Sequence, residues 1–179
     1  TRTGGVEEDA QRRQVTSLAR PSAHFGERLA SSGPYLAIAE PESHLVLIYE
    51  NTWDEPRRIA RVSGLGTKTG LLSSVAGLDL ERADRSLLVC DPALRRLSMF
   101  RLRGSEADEV AYDPFMGRFV KSFDFERGFG TSLVPGQEGV PEPLAVDRDP
   151  EGRVYVLDRR NRGVLVLGAD LSPLVERCS

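Results

Sequence analysis

Residues 143–167, PLAVDRDPEGRVYVLDRRNRGVLVL, decide the fold. Three apolar runs, Leu144–Val146, Val154–Leu157 and Val164–Leu167, are divided by two polar turns. The first turn holds Asp149, Pro150 and Gly152. Proline presets one backbone φ and glycine accepts a positive one, so this turn joins antiparallel strands tightly. Runs this short, rich in valine and bounded by turn residues, predict strands rather than helices.

The second turn starts at Asp158, and the five residues RRNRG precede the next apolar run. The same spacing occurs twice upstream. Glu40 ends YLAIAE, PESHL follows, and VLIY spans 46–49; Asp91 ends LLVCD, PALRR follows, and LSMF spans 97–100. A strand before the acid-ending one is visible in VAGLDLERADRSLLVCD as well as in the opening stretch. Outer strands are expected at 57–62, 117–125 and 172–177. No segment sustains a helical period over three turns, and 11 Pro and 17 Gly interrupt the chain. The expectation is an all-β protein of repeated antiparallel sheets with three to four strands each. The acids Glu40, Asp91 and Asp158 stand 51 and 67 residues apart. That exceeds the roughly 40–50 residues of common sheet repeats, so the excess is expected in loops, where binding tends to occur.

Composition excludes some functions. The net charge of -3 gives no basic field for nucleic acid, although 22 of the 24 basic residues are Arg and only Lys68 and Lys121 are Lys. No apolar run reaches the roughly 20 residues of a transmembrane helix. Two cysteines, Cys90 and Cys178, exclude a disulfide framework and are expected as free thiols. Residues 1–20 read as a polar tail or tether before a domain spanning 21–179. The non-Met Thr1 and this tail suggest export after processing.

The 143–167 stretch resembles the NHL-repeat family of β-propellers. Pro143-Leu144-Ala145-Val146-Asp147, Gly152, Val154-Tyr155-Val156, Asp158, Asn161 and Val164–Leu167 follow the family pattern, which usually has Arg where Gly163 stands. A second unit keeps Gly77-Leu78-Asp79, Asp91, Arg96, Met99 and Phe100, with Leu94 in place of Asn; the first keeps Ala39-Glu40, His44 and Val46–Tyr49. The resemblance implies a β-propeller-like array of antiparallel three- to four-stranded blades, with repeats near 33–62, 75–125 and 140–178, part of a six-bladed type of propeller. Three units are too few for an ordinary closed ring. A protein partner or a second copy completing the propeller is therefore expected.

The repeated acids, with Asp147 and Asn161, are read as structural positions whose carboxylates accept N–H bonds in their own turns. Calcium held by these carboxylates in a channel is the alternative, without support in the pattern; no cofactor is expected. The resemblance also covers metal-dependent lyases and lactonases. His24 and His44 cannot make a three-His zinc site in one chain, and no G-x-S-x-G is present. GLGTKTG at 64–70 has Gly, Lys and Thr close together without the spacing of a phosphate-binding loop, and reads as an inter-blade loop.

These readings point to a non-enzymatic protein-interaction or scaffold module, a subunit or segment of a larger assembly. Recognition is expected from loops 50–58, 63–74, 103–116 and 126–142 on one propeller face. Trp53, Tyr112, Phe115, Met116 and Phe129 are the expected apolar anchors, and Arg159, Arg160 and Arg162 the polar ones. A divalent-metal-dependent propeller enzyme is the alternative, and an RNA-binding NHL domain the third.

Overall fold

The computed structural model describes residues 28–40, 43–51, 56–102, 117–129 and 139–174. Among these residues eleven strands form three antiparallel sheets, here called blades. Blade 1 is β1 (Leu29–Ser32), β2 (Tyr35–Glu40), β3 (Leu45–Asn51) and β4 (Pro56–Val62), paired in that order. Blade 2 is β5 (Gly77–Glu81), β6 (Ser86–Asp91), β7 (Arg96–Arg101) and β8 (Arg118–Asp124), followed by the single-turn helix α1 (Phe125–Phe129). Blade 3 is β9 (Pro143–Arg148), β10 (Val154–Asp158) and β11 (Gly163–Leu167). The expected closing strand at 172–177 is represented by Pro173, bridged to Leu167, and by the Leu174 N–H on the Val166 carbonyl at 3.0 Å; 175–177 lie outside the described residues.

The first strands of the blades pack on one another, with β5 touching both β1 and β9. This places blade 2 between two apolar layers. Toward blade 1, Leu78, Leu80, Leu87, Val89 and Phe100 meet Ala37, Ala39, Val46, Ile48, Ala60 and Val62. Toward blade 3, Leu88, Cys90, Leu97 and Met99 meet Val146, Val154, Val156 and Leu167. Side chains alternate between the faces of a strand, so a strand covered on both sides needs apolar residues at nearly every position. That accounts for SLLVCD, the β6 sequence, being buried from end to end. The approach is closest at Gly77, where a Cβ would lie 2.7 Å from the Ala145 Cα and 2.9 Å from the Leu144 carbonyl oxygen. Only glycine lets the two backbones come this near.

Candidate functional site

Each acid-ending strand runs into a turn of one shape. The fourth residue after the acid, His44, Arg95 or Arg162, has a left-handed φ of 53°, 46° or 52°. Such φ values are uncommon without glycine, so something must hold the turn. The acid supplies it. Buried Asp91 accepts the Ser73 N–H at 2.6 Å, the Ser74 hydroxyl at 2.9 Å and the Leu94 N–H at 3.0 Å. Buried Asp158 accepts the Glu142 and Arg160 N–H groups at 3.0 Å, the Asn161 N–H at 3.3 Å and the Asn161 amide at 2.5 Å. Each carboxylate thus ties its own turn to the segment entering the blade. Glu40, half-buried, takes the Ser43 hydroxyl at 3.0 Å. Asp147 is exposed on β9 and accepts the Arg148 N–H at 3.0 Å.

A contact that the sequence did not signal joins blades 2 and 3. Arg148, ending β9, reaches across to Asp79 of β5 with its Nε, to the Ser86 hydroxyl at 2.6 Å and to the Ser86 carbonyl at 3.3 Å. Burial pushes the Asp79 carboxyl above its ordinary range, while the Arg148 guanidinium pulls it back down. The partners lie 69 residues apart, which no local pattern reveals. Cys90 is a free, buried thiol whose pKa burial pushes up, which makes it a poor nucleophile; Cys178 lies outside the described residues.

The other face of blade 3 is different. Leu157 pairs with Ala145 on one side and Val164 on the other, forming an apolar row across all three strands. Leu157 is 41% exposed and Val164 48%, against the wholly buried Val154 and Val156 on the side facing blade 2. Among the described residues no further sheet packs on this row. Arg159, Arg160 and Arg162, all exposed, sit in the turn beside it. Arg159 makes a long ion pair with Glu142 at 3.6 Å.

Trp53, Tyr112, Phe115 and Met116 lie outside the described residues, as do His24, all of loop 103–116 and residues 130–138 of loop 126–142. Phe129 is the last residue of α1. The expectation that all four loops serve one face requires correction. Because every pairing is antiparallel, successive connections leave alternate ends of a blade. Segments 63–74 and 126–142 and the arginine turn join strand ends on one side, whereas 50–58 and 103–116 join ends on the other. Among the described residues no group of three or more His, Cys, Asp or Glu gathers to hold a metal ion. No helix among them is long and apolar enough to cross a membrane.

No protein-family model matches the sequence, and no curated protein matches it. Solved structures do. One is a Lactobacillus plantarum structural-genomics target, at 15% identity and TM-score 0.54, matched over 86% of this chain and 40% of that one. Another is the Cps50 (Swd1) β-propeller domain of Myceliophteria thermophila, at 15% identity and TM-score 0.53, over 93% of this chain and 45% of that one. The fold is that of a β-propeller. A third is the glutaminyl cyclase of Myxococcus xanthus, at 15% identity and TM-score 0.50, over 86% of this chain and 52% of that one. The chain therefore spans about half the length of the structures it matches, or less. Identities this low carry the fold alone, and these propellers include an enzyme, so fold does not decide activity.

Proposed function

We propose that the chain is a non-enzymatic interaction module of NHL-like type, which joins a larger propeller assembly through the face of blade 3 on which no sheet of the described residues packs. The observation carrying this is the row Ala145, Leu157, Val164. Blade 2 covers both its faces with blades, and blade 3 presents apolar side chains of the same kind on the face left over. A further blade from a partner or a second copy fits that face by shape and chemistry, since blade-on-blade packing is how this fold buries such rows. The arginines beside the row supply a polar rim, the usual surround of an apolar interface core.

Solution mass tests the reading. The 19.7 kDa chain is expected to associate, and Leu157→Glu with Val164→Glu is expected to return it to monomer without unfolding it. A wild-type chain that stays monomeric at every concentration, with the double variant behaving identically, overturns the second copy as the occupant of this face.

A further inference from the structure

A second feature lies away from the blade 3 face. The loop Ser63–Ser74 is closed on itself: the Gly66 N–H bonds the Leu72 carbonyl at 2.9 Å, the Leu72 N–H the Gly64 carbonyl at 3.0 Å, and the Ser63 hydroxyl the Gly70 carbonyl at 2.9 Å. Leu72 is wholly buried and pins the loop to the core between blades 1 and 2. Its exposed tip, Thr67-Lys68-Thr69, forms one wall of an open cleft of about 800 Å³. Arg96 at the start of β7, Ser122 near the end of β8 and Arg127 of α1 also line it.

The chemistry of that lining is one-sided. Lys68, Arg96 and Arg127 are cations with donors only, and the hydroxyls of Thr67, Thr69 and Ser122 can donate too. The opposing carboxylate is Asp124, whose Oδ1 is occupied by the Glu126 and Arg127 N–H groups at 3.0 and 3.2 Å. Arg96 is the telling residue. Its Nε and Nη1 are shielded from solvent and find no hydrogen-bond partner among the described residues. Buried donors on a charged group are costly to leave unmade, and folded proteins almost always answer them. Asp91 fixes the turn that delivers Arg96 to the start of β7.

We propose that this cleft binds a tetrahedral oxyanion, the phosphate or sulfate group of a soluble small molecule. An acceptor-only group of high charge matches the cationic lining that Arg96, Lys68 and Arg127 make together. GLGTKTG contributes here without being a phosphate-binding loop of the nucleotide-binding kind, because β5 rather than a helix follows it. The site is independent of the blade 3 face, and loss of either leaves the other standing.

Calorimetric titration of inorganic phosphate into the whole chain tests this. Saturable binding is expected, weakening as ionic strength rises. Arg96→Gln and, separately, Lys68→Ala are each expected to weaken it about tenfold or more. Lys68→Ala lies on an exposed loop tip, so its fold is safe even if Arg96→Gln destabilises the blade. Phosphate should also raise the melting temperature of the wild type and not of the variants. No saturable binding by the wild type, or unchanged affinity in Lys68→Ala, overturns the proposal. Binding only to phosphatidylcholine vesicles doped with phosphatidate, and not to free phosphate, overturns the assignment to a soluble ligand.

Discussion

Replacing Arg148 by Met should cut the link between blades 2 and 3 while keeping most of the side-chain stem. Three interactions are lost: the ion pair to Asp79 and the two bonds to Ser86. Their surroundings set the magnitude. The Arg148 side chain is 10% exposed and that of Asp79 16%, so the carboxylate left behind is poorly solvated. Removing one partner of a buried pair costs about 3–5 kcal/mol, and the residual exposure here argues for about 3 kcal/mol. The loss has a pH signature. Burial already raises the Asp79 pKa against the pull of Arg148, so without Arg148 it rises further. An acid whose folded pKa lies above its unfolded value favours folding at low pH and loses that contribution as pH rises through the folded pKa. The deficit of Arg148→Met should therefore be greatest at neutral pH and shrink on acidification toward the ordinary carboxylate range. Urea unfolding followed by circular dichroism at neutral and mildly acidic pH measures it. A deficit under 1 kcal/mol at neutral pH, or one that does not change with pH, would refute the argument.

Two further substitutions probe the frame. Gly77→Ala sets a methyl 2.7 Å from the Ala145 Cα, inside the 3.4 Å where ordinary contact begins, and should cost about 1–3 kcal/mol in denaturant unfolding. A neutral result would mean that β5 and β9 separate freely. Asp158→Ala strands the N–H groups of Glu142, Arg160 and Asn161 and should destabilise by about 1–3 kcal/mol, with faster amide exchange confined first to the 139–162 region. Unaltered exchange there would show that the turn holds its left-handed Arg162 without the acid.

What the sequence disclosed was whatever repeats over short range. VYVLD and GVLVL are strands because apolar residues crowd between turn formers, and the Asp-Pro-x-Gly turn closes where Gly152 reaches a φ of 84°. The acid with its five-residue gap marked the β2–β3, β6–β7 and β10–β11 turns. Two elements escaped that reading: β1, which begins at Leu29, ahead of the expected first repeat, and α1, which opens at Phe125 where the expected 117–125 strand ends one residue early. Contacts between blades were beyond local patterns. Arg148 meets Asp79, and Lys68 shares a cleft with Arg96 and Arg127, through packing of distant segments. The assignment of four loops to one face failed for an equally physical reason, since loop length says nothing of which end of a strand a loop leaves.

The close approach at Gly77 has a geometric consequence. The blades come closest at their first strands, where Gly77 of β5 meets Ala145 of β9, while farther out Phe100 of β7 stands edge-on to Phe119 of β8, and Phe123 of β8 edge-on to Phe125 of α1. Layers thin at one margin and thick at the other are wedges, and wedges laid side by side must curve. The angle between neighbours, and with it the number of blades that would close a circle, is written in side-chain volume. Enlarging Gly77 would flatten the curve, while trimming Phe100 would flatten it from the opposite margin by thinning the thick side.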